Sequence, residues 1–405
     1  MAAPEPPQSS WRGVELLLLA FAAALVTGAM VLVEANQEQQ LTGSLVFLGL
    51  AYLGLFTAAH IAVRVLAPHA DPLILPCVAL LNGLGLVMIH RLDLAKADRA
   101  LQLGVEAPTL FGPRQIAWTA VGLVLYGAGS STWDVAMNVE GAAVERRLGR
   151  TLMPRFHAGF SIGAITGALA GAASARWQVD VSPQLVLVGP ACLVGAAVAV
   201  RAFLPASEPD RPAPARTLAA WREPRTLLIG LLVCSFALVE GVANDWLALA
   251  LVDGHGTSQT VGAVGLGVFV AAMTIGRLGG GAVLDRYGRA PVLRATAVLA
   301  ALGVGTVVAA DPLPLVIVGA VLWGVGASLG FPVGMSAGAD EQDRAASRVA
   351  VVSSIGYTAF LAGPPLVGFL AEAVGILRGL LVVVAAAGVG GLVAFATSPP
   401  ARRLS

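Results

Sequence analysis

Charge is scarce in this sequence. Only 12% of its 405 residues are Asp, Glu, Lys or Arg, the formal net charge is +1, and a single lysine, Lys96, stands against twenty-four arginines. So little charge excludes an ordinary soluble domain, and the lack of a basic stripe argues against nucleic acid as a partner. Cysteine is equally rare. Cys77, Cys192 and Cys234 all fall inside apolar runs with no paired spacing, so they read as small apolar residues, and neither a disulfide framework nor a metal site is expected. The five histidines are scattered over different segments, which leaves no metal-ligand spacing and no Ser-His-Asp arrangement, so no catalytic residue is assigned. No G-x-x-x-x-G-K-S/T loop occurs. An ATP-driven pump is thereby excluded within this chain, and no cofactor is expected.

What the sequence has instead is apolar length. Hydrophobic residues make up 57% of it and mean hydropathy is +0.80. A membrane span needs about 20 apolar residues to cross roughly 30 Å of hydrocarbon. Twelve such runs are expected, at about 14–34, 43–66, 72–90, 115–139, 157–175, 184–204, 226–251, 259–282, 291–309, 313–338, 349–372 and 379–397. Arginines concentrate in alternate connections, notably Arg146, Arg147, Arg150 and Arg155, then Arg201 to Arg225, then Arg286, Arg289 and Arg294. By the positive-inside rule these are cytoplasmic, as are both termini. The expectation is a multi-pass protein of the cell membrane whose first span is retained rather than cleaved as a signal. Residues 205–225, rich in Pro205, Pro209, Pro212 and Pro214, read as a cytoplasmic linker between six spans and six.

Ionisable residues inside spans are the candidates for function, because each costs about 2.5 to 3.5 kcal/mol to insert and so faces a cavity or a partner. Asp134 and Asn138 share a helix face at i, i+4, and Glu145 falls near it. Asp134 reads as a substrate or proton contact, against a plain bond to a neighbouring helix. Glu240 and Asn244 repeat the spacing in the seventh span, beside Asp245 and Trp246. Polar pairs with an aromatic wall suit a small polar solute such as a sugar, and Asp245 reads equally as an outer gate or an interfacial anchor. His157 offers either a proton relay or a bond that fixes the connection before the fifth span. Glycines at intervals of four, Gly163, Gly167 and Gly171 in the fifth span and Gly326, Gly330, Gly334 and Gly338 in the tenth, suit close helix packing. Gly363-Pro364-Pro365 is expected to kink the eleventh span.

Residues 276–289 read Gly-Arg-Leu-Gly-Gly-Gly-Ala-Val-Leu-Asp-Arg-Tyr-Gly-Arg. This stretch resembles the G-x-x-x-D-R-x-G-R loop of the major facilitator superfamily, which joins two spans on the cytoplasmic side and helps latch the rocking motion. The resemblance implies gating roles for Gly276, Arg277, Gly280, Asp285, Arg286, Gly288 and Arg289, to which Glu145 and His157 are added as groups near the same gate. Residues 133–163, with Asp134, Asn138, Glu140, Glu145 and His157, and residues 240–246, with Glu240, Asp245 and Trp246, resemble the YbjJ-like branch of that superfamily, akin to the fucose permeases.

The first quarter resembles something else. The segments from His60 to Arg64, Leu66 to Pro72, Leu80 to Asp93 and Gly112 to Gly122 are similar to the amino-terminal part of the RodA/FtsW (SEDS) proteins. The counterpart of the 276–289 cluster is missing after the second span, which reads Val63 to Pro72 without a glycine. These resemblances divide the chain into RodA/FtsW-like spans over 1–125, the rest of an N-terminal transporter half over 126–204, the linker, and a C-terminal half over 226–405, with a junction between Val121 and Trp133.

The expectation is an all-α membrane protein, about twelve transmembrane helices in a major-facilitator-like 6+6 bundle with an atypical N-terminal quarter. It is expected to move a sugar-like or drug-like solute by proton-driven alternating access, as a monomer in the lipid bilayer, and not to be an enzyme. Its substrate or proton residues would be Asp134, Asn138, Glu240, Asn244 and Asp245. Two alternatives remain: a fragment of a SEDS-like cell-wall polymerase without its catalytic region, and a non-transporting hybrid.

Overall fold

A computed structural model describes residues 9–36, 44–66, 74–102, 104, 113–179, 181–203 and 219–399. Most of the expected linker, and Pro68 to Asp71 of the second connection, lie outside the described residues. Everything regular among them is helical.

The chain divides into two compact units, Met1–Trp133 and Asp134–Ser405. In the first, α1 (Ser9–Asn36) packs on α2 (Ser44–Leu66) and α3 (Ile74–Gln102). Leu19, Val26, Met30, Tyr52, Phe56, Ala79 and Leu86 form its core. Tyr52 donates its hydroxyl to the Ala79 carbonyl, and buried Glu15 of α1 pairs with both His60 and Arg64 of α2. The Glu15 carboxylate facing Arg64 and His60 fixes how α1 and α2 are turned toward each other, because a rotation would leave a buried charge without its partner.

The second unit starts inside α4 (Pro113–Leu148) and continues through α5 (Met153–Arg176), α6 (Val181–Val200), α7 (Pro224–Leu249), α8 (Gln259–Tyr287), α9 (Arg289–Ala309), α10 (Leu313–Ala327), α11 (Gly330–Gly338), α12 (Ala345–Val374), the short α13 (Ile376–Gly379) and α14 (Leu381–Val393). Local chemistry sets the ends. Pro224 opens α7, where its missing N–H costs nothing. Ser258 caps α8 by accepting from the Val261 N–H. Gly375, at φ 88°, ends α12 in a conformation that penalises any side chain. The helix runs through Pro364 and Pro365, the site of the expected kink, without losing its helical assignment.

Small residues let the helices of this unit approach. A Cβ added to Gly303 would sit 2.3 Å from the Trp323 nitrogen, and one added to Gly326 would sit 2.3 Å from that of Ala300, so α9 and α10 touch backbone to backbone. Trp323 is fully buried there, with its indole donating 2.9 Å to the Val239 carbonyl of α7. It belongs to the core and not to a cavity wall. The tenth apolar run is broken at Ser328 and Leu329 into α10 and α11.

Among the described residues, eight helices are long and apolar enough to cross a membrane on their own sequence. The apolar parts of α2 and α3 are shorter, at Gly49–Ile61 and Val78–Arg91. Helix α4 is diluted by Asp134, Glu140, Glu145, Arg146 and Arg147. Polar content lowers a helix's hydropathy where it lines an interior rather than meeting lipid, and α4 is where the polar groups described next begin.

Candidate functional site

A line of polar side chains crosses the interior of the second unit. It starts on α4, where Asn138 donates to the Asp134 carbonyl at 2.8 Å and to its carboxylate at 3.1 Å. The Asn138 side-chain oxygen meets His157 Nε2 of α5 at 3.2 Å. One turn further along α5, Ser161 donates to the His157 carbonyl at 3.2 Å. Ser161 Oγ accepts from Arg277 of α8 at 2.6 Å, and the same guanidinium reaches Glu240 of α7 at 2.7 Å. Arg277 Nε donates to the Ser328 carbonyl, 3.3 Å away at the break between α10 and α11. Tyr357 of α12 lies beside Asp134, and Phe331 of α11 meets the His157 ring edge-on at 5.5 Å between centroids.

The position of Arg277 corrects the sequence reading. The eighth span was expected to end at about residue 282 within the 276–289 motif, but α8 continues to Tyr287. Arg277 is therefore ten residues, about 15 Å, from the helix end, and it is 2% exposed. The glycines around it are helical because larger residues would collide there. A Cβ on Gly276 would fall 2.6 Å from Ser328 Oγ, and one on Gly280 would fall 2.3 Å from Leu329. A buried arginine is tolerable only when paired and hydrogen-bonded. Here one carboxylate, one hydroxyl and one carbonyl hold it.

The rest of the motif forms a second cluster at one end of the bundle. Asp285 accepts from the Thr151 N–H at 3.1 Å and its hydroxyl at 2.5 Å, in the connection between α4 and α5. Glu145 accepts the Leu152 and Met153 N–H groups, both at 2.6 Å, and the Ser336 hydroxyl of α11 at 2.5 Å. Arg146 donates to the Ala339 carbonyl at 2.8 Å. Arg289 bridges to Asp340 at 2.8 Å and Ser336 at 2.9 Å, and Arg225 reaches the other oxygen of Asp340 at 2.6 Å. Residues 145–153 are thereby tied to the ends of α8 and α11. Beside this cluster, Glu223 takes Arg344 and Arg348.

Not every expected residue joins these groups. Asn244 and Asp245 are exposed, away from the polar line. Trp246 packs against the apolar core and lies 3.6 Å from where a Gly368 side chain would begin, so it faces α12. Arg286 is exposed and lies over the Tyr287 ring at 5.3 Å. Gly288, at φ 82°, is the whole turn between α8 and α9. His157 bonds α4 to α5 through Asn138, while the α4–α5 connection is fixed by Glu145. Ser161, Ser336, Tyr357 and Asp340 were missed. Ser161 alone had a visible signal, its i, i+4 spacing from His157.

The chain is similar to known proteins of two kinds. A profile of the Major Facilitator Superfamily matches residues 229–405. An uncharacterized MFS-type transporter of Yersinia pestis is 32% identical over 273 residues, covering 67% of this chain and 70% of that protein. The peptidoglycan glycosyltransferase RodA of Mycobacterium leprae is 48% identical over 121 residues, 30% of this chain, which spans only a quarter (25%) of that protein. In three dimensions the chain resembles the fucose:proton symporter of E. coli with a TM-score of 0.60 and 17% identity, over 96% of this chain and 99% of that one. The same symporter solved in its outward conformation gives a TM-score of 0.60.

Proposed function

The chain belongs to the major facilitator superfamily and is a multi-pass membrane transporter, and from that premise we propose that it moves a small solute by alternating access driven by a proton gradient. The observation that carries this reading is the polar line from Asp134 through Asn138, His157, Ser161 and Arg277 to Glu240, which links α4 and α5 to α7 and α8 deep within the bundle. Groups linked this way change partners when the helices rock, so proton or solute binding favours one facing over the other. In this reading Asp134 and Glu240 are the proton-accepting carboxylates, with Asn138 and His157 between them. Asn244 and Asp245 line the approach from the opposite end.

In this reading the end cluster is a gate. Glu145 on Ser336, Asp285 on Thr151 and Arg146 on Ala339 supply charge-assisted hydrogen bonds, each stronger than a neutral one, between residues 145–153 and the later helices, and Arg289 and Asp340 brace the later side of the cluster. In this reading that end faces the cytoplasm, as do both termini, in keeping with the arginine distribution. The protein acts as a monomer in the cell membrane, as a transporter and not an enzyme. The RodA-like portion is read as a replacement for the early spans of a facilitator.

Two single-cysteine reporters test the reading, in protein whose Cys77, Cys192 and Cys234 are replaced by alanine. One reporter is placed at Ser336 and the other at Asn244. Lowering the pH with a solute panel present should raise labelling at one and lower it at the other, and Asp134→Asn or Glu240→Gln should blunt the change. Labelling fixed at both positions under every condition would refute alternation and favour a hybrid that does not transport.

A further inference from the structure

The Arg277–Glu240 pair has chemistry beyond a proton relay. Arg277 carries five N–H groups, and three of its bonds are seen: to Glu240 at 2.7 Å, Ser161 at 2.6 Å and Ser328 at 3.3 Å. Two of these partners are uncharged and stay in place whatever happens to Glu240. The carboxylate is the more open member of the pair, at 14% exposed against 3% for the arginine side chain. A proton reaching Glu240 therefore removes the only negative charge on a guanidinium that cannot follow it or lose its own charge. Arg277 is then a buried cation in want of an anion, already positioned, with a fork that fits a planar carboxylate.

We infer that the solute is an organic anion carrying a carboxylate, which takes the place of Glu240 on Arg277 when Glu240 is protonated. This rests on the transport reading and names the substrate class of the same site. The balance is simple: one proton adds to a Glu240 oxygen, the ion pair separates, and one solute carboxylate forms the new pair. The site gains one positive and one negative charge, so symport is electroneutral. The titratable groups around the pair are His157 of α5, one turn from Ser161, and Asp134 of α4 beyond Asn138. Helices α10 and α11 contain no titratable residue and offer the Ser328 carbonyl and the Phe331 ring. Among the described residues no second acidic group is hydrogen-bonded to Arg277, so protonation of Glu240 leaves it without an anionic partner there.

The probes are radiolabelled six-carbon sugar acids, each paired with its neutral sugar, presented to proteoliposomes and to purified protein. An acid should accumulate under an acid-outside pH gradient, with a rate unchanged by an imposed membrane potential of either sign. Its binding should tighten as pH falls in the native protein, become independent of pH in Glu240→Gln, and vanish in the charge-balanced double variant Glu240→Gln, Arg277→Gln. Accumulation of neutral sugars without their acids would overturn the inference and leave the transport reading standing. So would acid binding that survives in the double variant. Absence of binding and uptake for every acid also overturns it, while the two cysteine reporters judge alternation separately.

Discussion

Glu240 and Arg277 face each other across α7 and α8 at 2.7 Å, and the arginine is among the most deeply buried charged groups of the second unit. Removing one partner of such a pair leaves the other charge stranded at a cost of about 3 to 5 kcal/mol. Glu240→Ala should therefore lower the thermal midpoint of detergent-solubilised protein markedly. Glu240→Gln, which keeps an acceptor for the guanidinium, should lower it less. Equal loss in both variants would mean that shape at position 240, and not charge, is what matters.

The close approach of α9 and α10 gives a packing test. Gly303→Ala and Gly326→Ala each drive a methyl to within 2.3 Å of backbone, and overpacking of this kind costs about 1 to 3 kcal/mol. Gly305→Ala, with nothing within 4 Å, should be neutral or slightly stabilising, since alanine is favoured over glycine in a helix by about 0.8 to 1 kcal/mol. Thermal melts of the three variants provide the comparison.

Asp340 holds Arg225 and Arg289 together. Asp340→Asn weakens two charge-assisted bonds, each worth about 1.5 to 3 kcal/mol, in the facing seen here. A cysteine at Ser336 should then label at least about tenfold faster, since 1.4 kcal/mol is a factor of ten in a population ratio. An unchanged rate would show that the cluster is closed for reasons other than these bonds.

Glu223, just before α7, supplies a pH test. Burial pushes its carboxyl up, but hydrogen bonds from Arg348 and Thr226 and the charges of Arg348 and Arg344 outweigh this and hold it below the ordinary glutamate value of 4.5. A depressed folded-state pKa adds stability that is fully present above 4.5 and is lost as pH falls through the lowered value. The midpoint of native protein should fall over that acid range, and Glu223→Gln should remove this component of the fall. High salt should shrink the effect, since Arg344 is more than half exposed.

The helical class, the membrane and the superfamily were legible because they rest on apolar length and on one local motif. The i, i+4 spacing of Asp134 and Asn138 did mark a face on which the two are hydrogen-bonded, whereas that of Glu240 and Asn244 did not, since Asn244 is exposed. Partners were not legible. Arg277 and Glu240 are separated by 37 positions and Glu145 and Ser336 by 191, and nothing in the intervening residues encodes either approach. The motif itself misled about Arg277, because a glycine-rich, basic string reads as a turn until the glycines are seen to abut Ser328 and Leu329. Trp246 misled in the opposite sense: an aromatic beside two polar groups suggests a cavity wall, yet its ring is drawn to the glycine-sized gap over Gly368.

Between Tyr287 and Arg289 the chain reverses through a single glycine at φ 82°. A connector of one residue has no slack, so α8 and α9 make one stiff lever with Arg277 partway along one arm. Asp285 and Arg289 grip on either side of its fulcrum. Arg277, Asp285 and Arg289 thus lie within thirteen residues of one almost unbroken helical path, so the buried ion pair and the end cluster share a single covalent support.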